Sequence, residues 1–118
     1  MTWEQTPDQL LHITARRSDQ AELLILSGEL DLSNCEQLYE HVRLAIDAGV
    51  RQLTCDMSEL AFVDSTGVSL FLSTRKRMQT LGGTFTLHSL TPNVRRVLRI
   101  AGVLSALVES DEERLSAD

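Results

Sequence analysis

Long apolar runs are missing from this sequence. The longest, Leu23-Leu24-Ile25-Leu26, is strand-sized, far short of the ~18 residues a membrane helix needs, so no membrane insertion is expected. The first residues, Met1-Thr2-Trp3-Glu4-Gln5, offer neither a basic start nor an apolar core; no secretory signal is expected, and the cytoplasm is the default compartment. Positive charge is in short supply as well: 11 Lys and Arg stand against 17 Asp and Glu, a net charge of −6. That balance argues against a protein that grips a phosphate backbone, so no direct nucleic-acid partner is expected. The basic residues that do cluster, Arg75-Lys76-Arg77 and Arg95-Arg96 with Arg99, fit the solvent side of helices. Cysteine is limited to Cys35 and Cys55, without a CxxC, and they read as a reduced, buried pair and not as a disulfide. His12, His41 and His88 lack metal-ligand spacing, so neither a metal site nor any cofactor is expected. Repeats and low-complexity segments are absent too.

What is present suits one domain. The 118 residues are 42% hydrophobic, enough for a core and against global disorder. Leu11, Ile13 and Ala15 alternate with His12, Thr14 and Arg16, the period of a half-buried strand. After the polar Arg17-Ser18-Asp19-Gln20, a second strand runs from Leu23 to Ser27, and so short a link predicts an antiparallel hairpin. Ser33-Asn34-Cys35-Glu36 reads as a capping box opening a helix, with Cys35, Leu38, Val42, Ala45 and Ile46 at helical spacing and Gly49 at its exit. Leu53, Cys55 and Met57 alternate as a third strand, which completes a βαβ unit.

A second helix is predicted from Asp64-Ser65-Thr66-Gly67, with Val68, Phe71, Leu72, Met78 and Leu81 on its apolar side and Gly82-Gly83 as its stop. Phe85 and Leu87 mark a fourth strand. Thr91 caps a third helix with Pro92 in its first turn, and Val94, Val97, Leu98 and Ala101 form its buried stripe. A short strand at Ala106 to Val108 follows. The order ββαβαβα gives an α/β fold with a mixed four- to five-stranded sheet, the helices mainly on one face. Residues 1–9 read as an N-terminal extension, 10–109 as the domain, and 110–118 as an acidic tail or short helix.

The stretch from Asp56 to Val68 is the most informative. It leaves a strand, crosses a short loop bearing apolar Phe62 and Val63, and enters a helix through Asp64-Ser65-Thr66-Gly67. A helix start presents unpaired amides and about half a positive charge, a place for an anion. Three residues there are able to cap, more than one helix needs. Catalysis by this chain is disfavoured: Ser65 lacks the Gly-x-Ser-x-Gly elbow and no His lies near it in sequence. Neither a Walker motif nor GxGxxG occurs.

Asp56-Met57-Ser58, then Phe62-Val63-Asp64-Ser65-Thr66-Gly67, resembles the signature of the STAS family, in particular the bacterial anti-sigma factor antagonists. Gly28-Glu29-Leu30-Asp31 resembles the family's element after its second strand. Gly82-Gly83-Thr84-Phe85 through Val94-Arg95-Arg96-Val97-Leu98 and Gly102 resembles its closing strand and helix. The likeness spans about Leu11 to Val108, with Met57, Val68 and Ser69 departing from the family's Leu, Leu and Gly.

The resemblance implies a regulatory binding protein and not an enzyme. It implies that Ser65 is phosphorylated by an anti-sigma factor that is itself a serine kinase, with Thr66 as the fallback acceptor. Unphosphorylated, the chain would bind that kinase and free a sigma factor for transcription; a serine phosphatase would reset it. The implied contact surface is Asp31, Asp64, Ser65, Thr66, Gly67 and Ser69. Each residue also has a plainer reading. Ser65 and Asp64 are able to serve as helix caps, Asp31 is able simply to end a strand, and Ser58 and Glu59 are loop residues. The alternative assembly is a STAS subunit of a lipid-transporting ABC complex or of a stress-sensing scaffold. An open sheet face also leaves room for a homodimer.

Overall fold

Leu11–Ser18 (β1) and Ala21–Leu30 (β2) pair antiparallel from Ser18↔Ala21 to Leu11↔Gly28, closing through Asp19 in the left-handed region at φ 55. The computed structural model describes residues 10–108; the extension 1–9 and the tail 110–118 lie outside them. Cys35–Asp47 (α1) carries the chain to Gln52–Val63 (β3), which runs parallel to β2. Ser65–Thr80 (α2) returns it to Thr84–His88 (β4), parallel to β3. The strand order is β1-β2-β3-β4, and Pro92–Ile100 (α3) follows. The predicted strand at Ala106 to Val108 is instead a single helical turn, Leu104–Leu107 (α4), after which Val108 makes one parallel bridge to Leu87. A lone bridge at the margin of β4 is too short to propagate a ladder.

One face of the sheet is the core face. Registered neighbours Leu24, Cys55 and Leu87 are buried there, as are Leu26, Leu53 and Phe85. They meet Leu38, Val42 and Ala45 of α1, Val68, Phe71 and Met78 of α2, and Val94 and Leu98 of α3. Phe71 is wholly buried with its ring 6.3 Å from that of Phe85, and its removal from water alone contributes about 1.5–3 kcal/mol. Residues of opposite phase, Thr14, Arg16, Leu23, Ile25, Thr54, Asp56, Thr86 and His88, remain exposed or half-buried, so the helices do occupy one face. Where the hairpin ends, buried Glu22 accepts from Nε of half-exposed Arg17 at 2.6 Å, which keeps a carboxylate on the core face from being unpaired.

Several local expectations need correction. β3 does not stop near Met57; it continues to Val63 through two register shifts against β2, with Ile25↔Asp56 followed by Ser27↔Glu59, and Gly28↔Leu60 by Glu29↔Phe62. Each shift adds one residue to β3, so burial steps from Met57 to Leu60 to Val63 in threes and Phe62 and Val63 belong to strand, not loop. Gly28 sits at the second shift with φ 107, and a Cβ there would lie 2.1 Å from the Leu10 carbonyl oxygen; only glycine fits. On α2, Leu72 is half-buried, while Leu81 has left the helix and is exposed; Ala101 is likewise exposed just after α3. The thiols are free, but Cys35 is only partly buried whereas Cys55 is buried. No described helix is long and apolar enough to cross a membrane.

Candidate functional site at the start of α2

The two added residues in β3 set the exit of that strand. Val63 turns inward, the Asp64 amide donates to the Leu30 carbonyl at 3.2 Å, and α2 starts beside the end of β2. Asp64 is the N-cap residue, in extended conformation. Its Oδ1 accepts from the Gly67 amide at 3.0 Å, and its Oδ2 accepts from the Leu32 amide at 3.1 Å. One carboxylate therefore caps α2 and fastens the β2–α1 loop to it. A cap of this kind is worth about 1 kcal/mol.

Gly67 is buried, and a Cβ on it would stand 2.5 Å from Val63 Cγ2 and 3.0 Å from Leu30 Cδ2. Its glycine identity serves the close seating of α2 on the ends of β2 and β3. The structure thus gives Gly67 a packing role that the reading above did not assign it. Ser65 and Ser69 are exposed, and Thr66 is half-buried. With Asp64 holding the Gly67 amide, the Ser65 and Thr66 amides face out of the helix end without an acceptor in their own helix. The Ser65 hydroxyl is thereby left uncovered at the positive end of a 16-residue helix.

The β2–α1 loop lies against this start. Asp31 accepts through Oδ1 from both the amide and the hydroxyl of Ser33, at 2.9 and 2.6 Å. Ser33 thus gives both its amide and its hydroxyl to Asp31 and is no capping-box residue. The N-cap of α1 is Asn34, with no side-chain cap bond of its own. Buried Asn34 instead accepts the Asp31 amide through Oδ1 at 2.9 Å and donates through Nδ2 to the Glu29 carbonyl at 2.9 Å. It holds the loop in shape, a role that the polar composition of Ser33-Asn34 did not reveal.

Cys35, missed as a neighbour of the site, stands beside both acids. Its thiol is pushed up to about 11, first by burial and then by the carboxylates of Asp64 and Asp31. At neutral pH it stays protonated and is a poor nucleophile. Ser65 lines a shallow groove with Val68, Ser69, Val97, Ile100 and Ala101. Leu32, Phe62 and Ile100 project around this end of the molecule, at 75%, 39% and 78% exposure. Sequence reading singled out Phe62 but missed Leu32 and Ile100, because exposed apolar residues at element ends carry no periodic signal.

A family model described as Mlab, STAS domain, matches residues 13–109. The anti-sigma F factor antagonist of Lysinibacillus sphaericus is 30% identical over 90 residues, covering 75% of this chain and 77% of that protein. BtrV of Bordetella bronchiseptica is 27% identical over 107 residues, covering 91% and 92%. Among solved structures, the anti-sigma factor antagonist SpoIIAA in its unphosphorylated form superposes with a TM-score of 0.74 at 25% identity, covering 88% of this chain and 92% of that one. The chain belongs to the STAS domain family, among the anti-sigma factor antagonists of the SpoIIAA type.

Proposed function

We propose that this protein, with Ser65 unmodified, binds an anti-sigma factor that is a serine kinase, and that phosphorylation of Ser65 releases it. Binding frees a sigma factor for transcription, and a serine phosphatase restores the binding form. The observation that carries this reading is the division of labour at the α2 start. Asp64 spends both carboxylate oxygens on the cap and the loop, while the next residue keeps its hydroxyl in solvent.

In the transfer, Ser65 Oγ attacks the γ-phosphorus of ATP held by the kinase. The bond to the β–γ bridging oxygen breaks, ADP leaves, and the serine proton passes to a base of the kinase. The new phosphate brings −1.5 to −2 charges at about neutral pH. The helix end tolerates it, with a gain of ~0.3–1 kcal/mol. An acidic group of the partner about 6 Å away is repelled by ~1–5 kcal/mol for an effective dielectric between ~80 and ~20. Every ~1.4 kcal/mol is tenfold in affinity, so docking fails while the fold persists. The intact Asp64-Ser65-Thr66-Gly67 and the names of the relatives favour this reading over a transporter subunit.

The test is incubation with candidate anti-sigma kinases and ATP, followed by phosphate mapping with mass spectrometry. One phosphate on Ser65 is expected. Label on another residue, or none with any of them, overturns the assignment.

A further inference from the structure

Acids and bases are not mixed along this chain. From Ser65 to Val108, which spans α2, β4, α3 and α4, there are six Lys and Arg and no Asp or Glu. Residues 10–64 carry ten acids against four Arg, and residues 109–118 carry five against one. The overall −6 therefore hides a second half that is purely cationic. Its densest cluster is Arg75-Lys76-Arg77, in the later turns of α2. The helix supplies no acid three or four places away to pair with it, and no ion pair with another described residue involves any of the three. Lys76 and Arg77 flank a cleft of about 470 Å3 between the ends of α1 and α2. Its apolar lining comes from half-buried Ile46 and from Leu81, which is 43% exposed.

An anionic segment with one apolar side chain complements such a surface, and the chain carries one next to it. Glu109-Ser110-Asp111-Glu112-Glu113-Arg114-Leu115 follows directly on Val108, with three consecutive acids and then a leucine two places on. The segment also starts close by. Val108 is bridged to Leu87 of β4, and α4 before it packs against both α2 and β4. Six residues separate Leu81 from Leu87, at most ~22 Å when fully extended, and the turn through Gly82 at φ 80 shortens that. The seven residues from Val108 to Leu115 reach ~23–25 Å.

We propose that residues 109–118 fold back onto the later turns of α2, with Asp111, Glu112 and Glu113 against Arg75, Lys76 and Arg77 and with Leu115 in the cleft beside Leu81. Individual exposed ion pairs are weak, but tethering gives the segment an effective concentration on the order of millimolar, at which weak pairing suffices. The contact neutralises the cationic half from within the molecule. An acidic partner then has to displace the segment before it docks on this part of α2. The contact lies about 16 Å along the helix from Ser65 and does not depend on the reading of that residue.

Lys76 is the only lysine in the chain, so zero-length cross-linking of the full protein reads its carboxylate neighbours directly. A water-soluble carbodiimide adds to a carboxylic acid, and the Lys76 amine displaces it as a urea, leaving an amide with the net loss of one water. At low salt, digestion and mass spectrometry are expected to show Lys76 joined to Asp111, Glu112 or Glu113 of the same chain, at a yield unchanged by tenfold dilution. Raising the salt to ~1 M, where the Debye length is ~3 Å, is expected to lower that yield at least fivefold. Leu115→Ser and Arg77→Gln are each expected to lower it at least twofold, with melting temperatures showing that both variants are folded. Lys76 joined instead to Asp47 or another acid of residues 10–64 overturns the proposal. So do links formed only between chains, the absence of any link, and a yield indifferent to both salt and Leu115→Ser.

Discussion

Two strand-to-helix junctions in this molecule each carry a hydroxyl residue and use it in opposite ways. At the start of α3, Thr91 is the N-cap residue but makes no cap bond; its hydroxyl donates across the domain to the Leu60 carbonyl at 2.8 Å. Asn93, two residues on, donates through Nδ2 to the Ala61 carbonyl at 2.9 Å. Leu60 and Ala61 lie in the shifted part of β3, where regular pairing is interrupted. The β4–α3 junction thus supplies donors that the irregular strand lacks. At the start of α2 the acid does the capping and the hydroxyl of Ser65 is left to solvent. A hydroxyl near a helix start is structural in one place and available in the other, and the difference lies in what its neighbours have already satisfied.

Substitutions test that contrast, and the largest effect is expected at the available hydroxyl. Ser65→Asp, with one charge in place of the phosphate's −1.5 to −2, should lower affinity for the cognate kinase about threefold to a hundredfold, following ~0.7–2.8 kcal/mol of repulsion at ~6 Å, with the thermal midpoint shifted by less than about 3 °C. Calorimetry and a melt on the same sample check both halves. Ser65→Ala should bind constitutively. A Ser65→Asp protein that binds normally would collapse the distinction between the junctions.

Gly67→Ala should cost about 1–3 kcal/mol, since the added methyl meets Val63; a denaturant titration reads this as a lower midpoint at unchanged slope. Thr91→Val should cost about 1–2 kcal/mol by stranding the Leu60 carbonyl, with kinase affinity little changed. Loss of affinity with no loss of stability there would reverse the assignment. Asp64→Ala should cost about 1 kcal/mol through the cap. It should also raise hydrogen exchange at the Leu32 and Gly67 amides, its two donors.

The smallest effect concerns Cys35. With its thiol raised to about 11 in the fold, above the ~8.5 of a free thiol, the native state holds the proton more tightly than the unfolded chain. That contribution to stability is complete below the unfolded value and is lost as pH rises from there through about 11. Alkylation by iodoacetamide at pH 8 should accordingly be slower than that of a free cysteine peptide. Asp64→Asn, which removes one of the nearby charges, should narrow the gap.

Much of this arrangement was legible in the chain itself. Alternation marked β1, β3 and β4, the apolar run from Leu23 marked β2, and apolar spacing with Asp64 and Pro92 located α2 and α3, because each signal is local. The end of β3 was not legible, since two added residues destroy the period-two pattern between Met57 and Val63. Asn34 was hidden because Ser33 and Glu36 imitate a capping box three residues apart, while tertiary bonds to Asp31 and Glu29 decide the matter. The resemblance singled out Ser65 and Ser69, and the structure places both in solvent. It also grouped Gly67 with them, which the packing of Leu30 and Val63 assigns to the interior.

The bonds among Asp31, Ser33, Asn34 and Asp64 have one further consequence. They hold the segment carrying Leu32 in a fixed pose before any partner arrives, so little conformational entropy is surrendered on association. In the complex proposed above, a modest contact area would then suffice for useful affinity, and association would not wait for a loop to order. Speed of exchange, more than tightness, is what such a preset surface provides to a reversible regulator.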